Sequence, residues 1–508
     1  MKINLINYFE ETIKKVPEKI AVQEGKTSIS FQELADRSKK LSLTIKNSSN
    51  QGIRKPIAVY LDKNINSIIS DIAIVYSGNF YMNLDTKTPM KRIKNICDLI
   101  EPALLITDNK HIIELKGMID ESRIINIESI DYQSILYKEE EITKLLDYII
   151  DTDPLCIINT SGSTGIPKGV VLNHRSFIDF TEWAVNSFVI SENEIIGSLS
   201  PSVFDIYSFE LCMLMAKGST ILIIPENIAA FPVRILQLLI EHKVTFIFWV
   251  PTIMVNIANM NLLEEFPLPD LKIVWFAGEV FPTKQFNQWR NRIPHSIFAN
   301  LYGPIEITLD CTYYIIDRKL RDDEPIPIGN ACRNTDILIL NDSDNLVDTN
   351  EEGELCVRGG SLAMGYYNNP EKTALAFVQN PLNKSYPEII YRTGDIALIN
   401  NRGEIIFKGR NDTLVKHSGY RIELAEIEHI IINTLKLVKN ACVIYNYDKK
   451  EIILYYEDAN DISISEMRKQ ISTVLPKYMV PRVFIKVDEL PKNVNGKIDR
   501  LKLKKMSK

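Results

Sequence analysis

The densest chemical signal in this 508-residue chain is the run Thr160-Ser161-Gly162-Ser163-Thr164-Gly165-Ile166-Pro167-Lys168-Gly169. Its glycines let a backbone approach a ligand closely, its hydroxyls and amide groups donate hydrogen bonds, and its lysine neutralises charge. Together they suit a polyphosphate. A Ser/Thr/Gly cluster alone is commonly a plain surface loop. The terminal lysine and the flanking apolar runs, Leu-Cys-Ile-Ile-Asn before and Val-Val-Leu-Asn-His after, favour the phosphate. The run is not a Walker A loop, because no Gly-Lys-Ser/Thr closes it and no helix pattern opens behind it.

Other residues offer complementary chemistry. Asp395, at the end of a predicted strand-turn, can accept hydrogen bonds from vicinal hydroxyls, although an isolated Gly-Asp is an ordinary turn. Tyr302, beside Gly303 and Pro304, offers a ring for stacking, as a core tyrosine also would. Glu306 supplies a carboxylate of the kind Mg2+ takes together with substrate phosphates. Lys497 follows an Asn-Gly turn that would present its side chain, where a basic tail would otherwise be only solubilising. A lysine so presented can stabilise the negative charge that gathers on a phosphoryl group during transfer.

These residues need a frame. Short β-branched runs at 56–61, 103–107, 219–225, 244–250 and 272–278 read as buried strands, and the segment 231–243 carries apolar residues at helical spacing. The alternation predicts α/β layers with largely parallel sheets. From about 325 to 410 the texture changes to short strands and turns, which predicts a small β-rich subdomain. After residue 410 come a predicted helix at 426–435, a hairpin-like stretch, a helix near 465–474 and a basic tail. About 100 residues with their own apolar pattern can form a compact domain.

Composition narrows the function classes. Lys and Arg number 59 against 65 Asp and Glu, a net charge of −6, and 45% of residues are hydrophobic. Nothing there offers the basic face that nucleic acid requires. Seven scattered cysteines with no Cys-x-x-Cys pair give neither a zinc site nor a disulfide framework, and suggest reduced thiols in the cytoplasm. No apolar stretch reaches the length of a membrane span.

Taken together, the motifs resemble those of the adenylate-forming enzymes: acyl-CoA synthetases, luciferases and amino-acid adenylation domains. The loop 160–169, FDIYSFE at 204–210, Ala277-Gly278-Glu279, NLYGPIE at 300–306, the run 353–373, YRTGD at 391–395, the run 409–428 and NGKIDR at 495–500 follow the family's order over nearly the whole chain. The resemblance implies a large N-terminal α/β domain, 1–410, whose part from about 325 is barrel-like, and a small mobile α+β domain, 411–508. It implies ATP and Mg2+. Thr160, Ser161, Gly162, Ser163, Thr164, Gly165, Lys168, Ala277, Gly278, Glu279, Asn300, Leu301, Tyr302, Gly303, Asp395, Phe407, Arg410 and Lys497 would contact the nucleotide. Asp395 would take the ribose, Tyr302 the adenine, and Thr164 with Glu306 the metal. Lys497, Glu306 and Lys168 would carry catalysis. Asp412 would be the hinge of the small domain, and Gly419 would line the approach of a thiol. Ile305 departs from the usual Thr, and Leu414 from a commonly polar residue.

The same resemblance places a substrate pocket at Phe204, Asp205, Ile206, Phe209, Phe248, Trp275, Ala277, Leu301, Leu309 and Asp310, closed by Lys497. Asp205 stands where amino-acid-activating members pair a carboxylate with the α-ammonium. A buried carboxylate is costly without such a cation; a capping aspartate is the plain alternative. Phe209, Phe248 and Trp275 fill volume, so a small, largely apolar amino acid is expected. The pattern is similar to stand-alone L-proline ligases, ahead of D-alanine–carrier protein ligases and serine-activating enzymes. Trp275 and Asp310 depart from the proline pattern, and Ala277 stands where D-alanine ligases carry Cys. The expected acceptor is a separate phosphopantetheinyl carrier protein, since no carrier or condensation segment accompanies the motifs. The alternatives are an acyl-CoA ligase using free CoA and a non-catalytic nucleotide-binding protein.

Overall fold

The apolar runs become strands buried on both faces, which is why they read as continuous rather than alternating. Pro56–Tyr60, Leu104–Thr107, Thr220–Ile223, Phe246–Trp249 and Ile273–Phe276 are buried along their whole length. The helix predicted at 231–243 spans Pro232–Glu241, opens with proline at its first position, and buries Ile235, Leu236 and Leu239. The computed structural model describes residues 4–48, 52–161, 167–410, 414–459, 462–492 and 498–507. It divides into two units. The first holds Met1–Thr86, Glu101–Ile158 and Val170–Asn411; the second holds Lys87–Ile100, Asn159–Gly169 and Asp412–Lys508.

Three sheets build most of the first unit. Among the described residues a nine-stranded sheet runs from Asn330–Ala331 through Thr312–Ile315, Ile297–Tyr302, Ile273–Phe276, Phe246–Trp249, Ile195–Ser198, Thr220–Ile223 and Ile20–Glu24 to Thr27–Ser30. A seven-stranded sheet runs from Gly365–Tyr366 through Lys168–Asn173, Pro154–Thr160, Phe80–Asn83, Pro56–Tyr60 and Leu104–Thr107 to Ile124–Asn126. The inner pairs are parallel, with Phe248 beside Trp275 and Trp275 beside Ala299. In the β-rich part from about 325, five antiparallel strands form one sheet: Thr335–Leu340, Gly353–Gly359, Ile389–Ile399 and Phe377–Gln379, with Ile405–Arg410 also on Ile389–Ile399. Asp395 corrects an expectation. It lies inside the long strand Ile389–Ile399, not at a strand end, because Gly394 (φ 70°) takes up a bulge opposite the register shift between Glu354 and Cys356.

The second unit has its own apolar core of Ile422, Leu424, Ile427, Val443, Leu454, Met467 and neighbours. The hairpin Val438–Asn446 and Glu451–Ala459 is joined in parallel by Val483–Lys486. The predicted helix at 426–435 is α-helical over Leu424–His429 and continues as a π turn, Ile430–Thr434. Three successive isoleucines, stiff at χ1, suit an α-helix poorly there. A second hairpin, Leu414–His417 and Tyr420–Glu423, turns on Ser418 (φ 53°) and Gly419 (φ 83°), a two-residue loop with both residues left-handed. Leu414, noted as a departure from a polar residue, is buried. Among the described residues no helix is long and apolar enough to cross a membrane, and all seven cysteines are buried.

His174, the first residue of helix His174–Phe188, is buried, and its Nδ1 accepts from the Leu5 amide at 3.3 Å. Burial pushes its pKa down from 6.5 to about 4. Between those values the unfolded chain binds a proton that the folded chain refuses. Stability should therefore fall as pH drops below about 6.5, with the loss complete near pH 4 and worth roughly 3 kcal/mol. Urea unfolding of the natural protein and of His174→Gln at pH 7 and 4.5 checks this: the variant should lose less stability on acidification. Equal losses would refute the assignment.

Candidate active site

Strand Ile297–Tyr302 ends in Gly303-Pro304, a short helical turn Ile305–Ile307 follows, and the chain doubles back into Thr312–Ile315. The return is so tight that a Cβ on Gly303 would lie 2.2 Å from the Leu309 carbonyl oxygen and 2.6 Å from the Asp310 Cα. Thr308 and Leu309 both take left-handed backbone, φ 54° and 66°. Such conformations cost about 1–3 kcal/mol each and persist only where surroundings enforce them. Three bonds do so: Thr308 Oγ1 donates to Ser176 Oγ at 3.0 Å, Ala363 N to Glu306 O at 2.9 Å, and Tyr366 OH to Glu306 Oε1 at 2.9 Å. Glu306 is thereby fully buried and Asp310 nearly so, at 0% and 4% exposure. Ile305 packs against the apolar core, which accounts for an aliphatic side chain in place of threonine.

A second constellation lies at the five-stranded sheet. Tyr302 OH donates to one Asp395 oxygen, and Arg410 pairs with the other while its Nη2 donates to Thr393 O at 2.9 Å. Asp395 and Arg410 sit opposite each other in the strand register. Burial, followed by the Asp395 charge, pushes the Tyr302 hydroxyl well above its usual pKa, so it remains a donor. The Phe407 ring lies 6.1 Å from that of Tyr302. Asn300, buried, ties Pro327 O at 2.8 Å, and Gly278 takes φ 89° between Ala277 and Glu279. Glu279 accepts from the Thr252 amide and hydroxyl.

The pocket residues form an aromatic cluster. Phe209 stacks on Trp275 at 5.5 Å and 18°, and Phe248 meets both edge-on at 6.0 and 5.5 Å. Ile206, Ala277, Leu301 and Leu309 join the same apolar cluster. Sequence reasoning missed three further walls: Phe246, Phe188 and Trp183 lie 5.1, 4.6 and 6.2 Å from Trp275. Trp275 Nε1 is buried without a partner among the described residues. Phe204 caps the helix Asp205–Lys217 without a side-chain bond, so Asp205 is the first helical residue and not the cap; its Oδ1 accepts from Ile206 N at 3.0 Å. Tyr366 and Ser176 were also missed. Tyr366 lay within the Gly365-Tyr366-Tyr367 run, which names no partner, and Ser176 follows Asn173, whose side chain caps the helix by accepting from the Ser176 amide.

In the second unit, Ser161 Oγ donates to Arg421 O at 2.9 Å and accepts from Glu423 N at 3.0 Å, so hairpin backbone occupies this hydroxyl. The Thr160 hydroxyl is buried without a partner among the described residues, and Lys168 opens the strand Lys168–Asn173. Gly162, Ser163, Thr164, Gly165, Asp412 and Lys497 lie outside the described residues.

Residues 9–367 match the family model of the AMP-binding enzymes, and 426–497 match that of the AMP-binding enzyme C-terminal domain. This chain belongs to the AMP-binding enzyme family. It is an adenylate-forming, AMP-binding ligase with that superfamily's α/β fold, whose members use ATP. Zwittermicin A synthase ZmaJ from Bacillus cereus is 30% identical over 501 residues, 97% of this chain and 93% of that protein. Surfactin synthase subunit 1 from Bacillus subtilis is 31% identical over 98% of this chain, which spans only 14% of it. The Vibrio cholerae adenylation domain AlmE, solved with glycyl-adenosine-5'-phosphate, superposes with a TM-score of 0.86 at 21% identity over 100% of this chain and 98% of its own. NpsA-ThdA, an artificially fused adenylation–PCP di-domain from Klebsiella oxytoca, gives 0.81 at 20% identity over 95% and 94%.

The Gly303 contact generates a prediction. Gly303→Ala in this AMP-binding enzyme should force the Leu309–Asp310 backbone outward and cost about 1–3 kcal/mol, the usual range for overpacking. Urea denaturation checks it, with Gly360→Ala, whose Cβ would meet nothing nearer than 4.0 Å, as the control. Equal stability of the two variants would contradict the steric argument.

Proposed function

We propose that this enzyme activates a small neutral amino acid as its aminoacyl-adenylate and passes it to the phosphopantetheine thiol of a separate carrier protein, acting in the cytoplasm, where its seven thiols stay reduced. The observation that carries this reading is Asp205 in the first turn of its helix, one turn from Phe209 on the same face. Phe209 stacks on Trp275 within the aromatic cluster. A half-buried carboxylate one helical turn from an apolar cluster suits an α-ammonium above a short side chain. Simple acyl-CoA ligation has no use for that carboxylate, which disfavours free CoA as acceptor. A carrier partner is supported by the carrier domain that NpsA-ThdA holds in its own chain, and a small substrate by the glycyl-adenylate bound to AlmE.

The substrate carboxylate would attack the α-phosphorus of ATP, pyrophosphate would leave, and the thiolate would then displace AMP from the acyl carbonyl. Thr160, Ser161, Gly162, Ser163, Thr164, Gly165 and Lys168 would cradle the phosphates, and Lys497 would stabilise the charge of the transferring group. Tyr302 and Phe407 would face the adenine, with Asp395 and Arg410 toward the ribose. Asp412 would let the small domain turn, and Gly419 would admit the thiol. Mg2+ is commonly held by one or two carboxylates plus substrate phosphates, so a single buried Glu306, with Thr164, fits it.

The ranking for the amino acid is proline, then D- or L-alanine, then serine. Asp310, nearly buried beside the strained turn, would favour serine if it meets a hydroxyl. Pyrophosphate exchange across the twenty amino acids and D-alanine tests the set. Phenylalanine, leucine and lysine should fail, and Trp275→Ala should admit larger apolar side chains; efficient use of phenylalanine by the natural enzyme would defeat the reading.

Two variants test the roles. Lys497→Ala should lower exchange by about 10²–10³-fold or more while ATP still binds. Near-normal exchange would remove Lys497 from catalysis. Asp205→Ala should raise KM for the amino acid far more than for ATP. Thioester formation on free CoA as fast as on any carrier would overturn the choice of acceptor.

A further inference from the structure

Buried polar side chains converge on the segment that leads into the Asp205 helix. Lys63, just after strand Pro56–Tyr60, donates from Nζ to Ser198 O at 2.8 Å, Ser198 Oγ at 3.1 Å and Ser200 O at 2.7 Å. The Ser198 hydroxyl donates in turn to Glu210 Oε2. Asn83, ending strand Phe80–Asn83, donates from Nδ2 to Ser202 O at 3.2 Å and to Asp71 Oδ2 at 3.1 Å. Tyr207 OH donates to the same Asp71 oxygen at 2.7 Å. Lys63, Asp71 and Asn83 belong to the seven-stranded layer of the first unit, whereas the segment they grip continues a strand of the nine-stranded sheet.

Stability alone explains this set badly. All the side chains named are buried, and burial pulls the Lys63 ammonium pKa down while pushing those of the Glu210 and Asp71 carboxyls up. Glu210 Oε1 and Asp71 Oδ1 are without partners among the described residues, which adds a desolvation cost. Replacing a buried ion pair with apolar groups of similar volume is often neutral or stabilising. What the set supplies is direction. The carbonyls of Ser198, Ser200 and Ser202 are each tied, and the helix is tied at Tyr207 and Glu210, in its first two turns.

We propose that Lys63, Asp71 and Asn83 are positioning residues for Asp205. They fix the backbone entering its helix so that the carboxylate meets the α-ammonium of the amino acid. This inference rests on the amino-acid reading given above. Loosening the brace should blunt recognition of the amine and spare the nucleotide, which is bound by other elements.

The test compares the amino acid that the enzyme activates best with the same skeleton lacking the amine: proline with cyclopentanecarboxylate, alanine with propionate, or serine with 3-hydroxypropionate. The readout is the ratio of kcat/KM values in pyrophosphate exchange, with KM for ATP measured alongside. In the natural enzyme a large preference for the amine-bearing substrate is expected; equal use of both would sink the amino-acid reading itself, whatever the variants do. Lys63→Met should cut the preference by about tenfold or more, chiefly through KM for the amino acid, with KM for ATP changed by less than about twofold. Lys63→Arg should recover part of it. Lys63→Met can strand the Glu210 charge and fail to fold, so the double variant Lys63→Met with Glu210→Gln, which leaves no unpaired charge, and Asn83→Ser, which removes only the bonds to Ser202 and Asp71, are measured beside it. An undiminished preference in folded Lys63→Met, in the folded double variant or in folded Asn83→Ser, or parallel increases in both KM values, would overturn the inference.

Discussion

The site depends on one close approach: the backbone of Leu309 and Asp310 lies where a side chain on Gly303 would have to be. That contact turns the chain at the end of a buried strand within a handful of residues. It presents Tyr302 toward the five-stranded sheet, encloses Glu306, and leaves Asp310 nearly buried. The strain at Thr308 and Leu309 is the cost of so sharp a reversal. It is met by hydroxyl and amide bonds from two separate stretches of chain, at Ser176 and at Ala363 with Tyr366. Strained backbone held in place by distant partners is the arrangement expected where geometry, more than stability, is being selected.

The frame was legible because burial on both faces leaves a plain mark: a run such as Ile-Val-Trp-Phe cannot be half exposed. The helix at 232–241 was legible from its spacing and its leading proline. Asp395 was legible as a residue but not as a place. The Gly-Asp pair reads as a turn locally, and only the neighbouring strand, with its own register shift, makes it a bulge inside a longer strand. The π turn after His429 likewise carries no separate mark in an amphipathic pattern.

At the site, the family resemblance picked out Phe209, Phe248 and Trp275 but not Trp183 or Phe188, which reach Trp275 from a helix remote in sequence. The bond between Tyr366 and Glu306, and the grip of Lys63 on Ser198, join residues that no periodicity relates. Such pairings belong to topology. A single sequence states them only through motifs, and a motif names a residue without naming what holds it.

The N-terminal segment has a further consequence, which is kinetic. Asn4 and Leu5 bond to Ile149 and His174, and the strand Ile20–Glu24 pairs with Thr220–Ile223. The first strand has a local partner in Thr27–Ser30, but residues as far on as 220–223 must leave the ribosome before this helix and strand gain all their permanent neighbours. Until then their apolar faces stay open, and contacts of such long sequence separation form slowly. Newborn chains of this enzyme should lean on holding chaperones early in synthesis. A shortened chain ending before residue 220 would keep its opening strands without the partner that silences their edge.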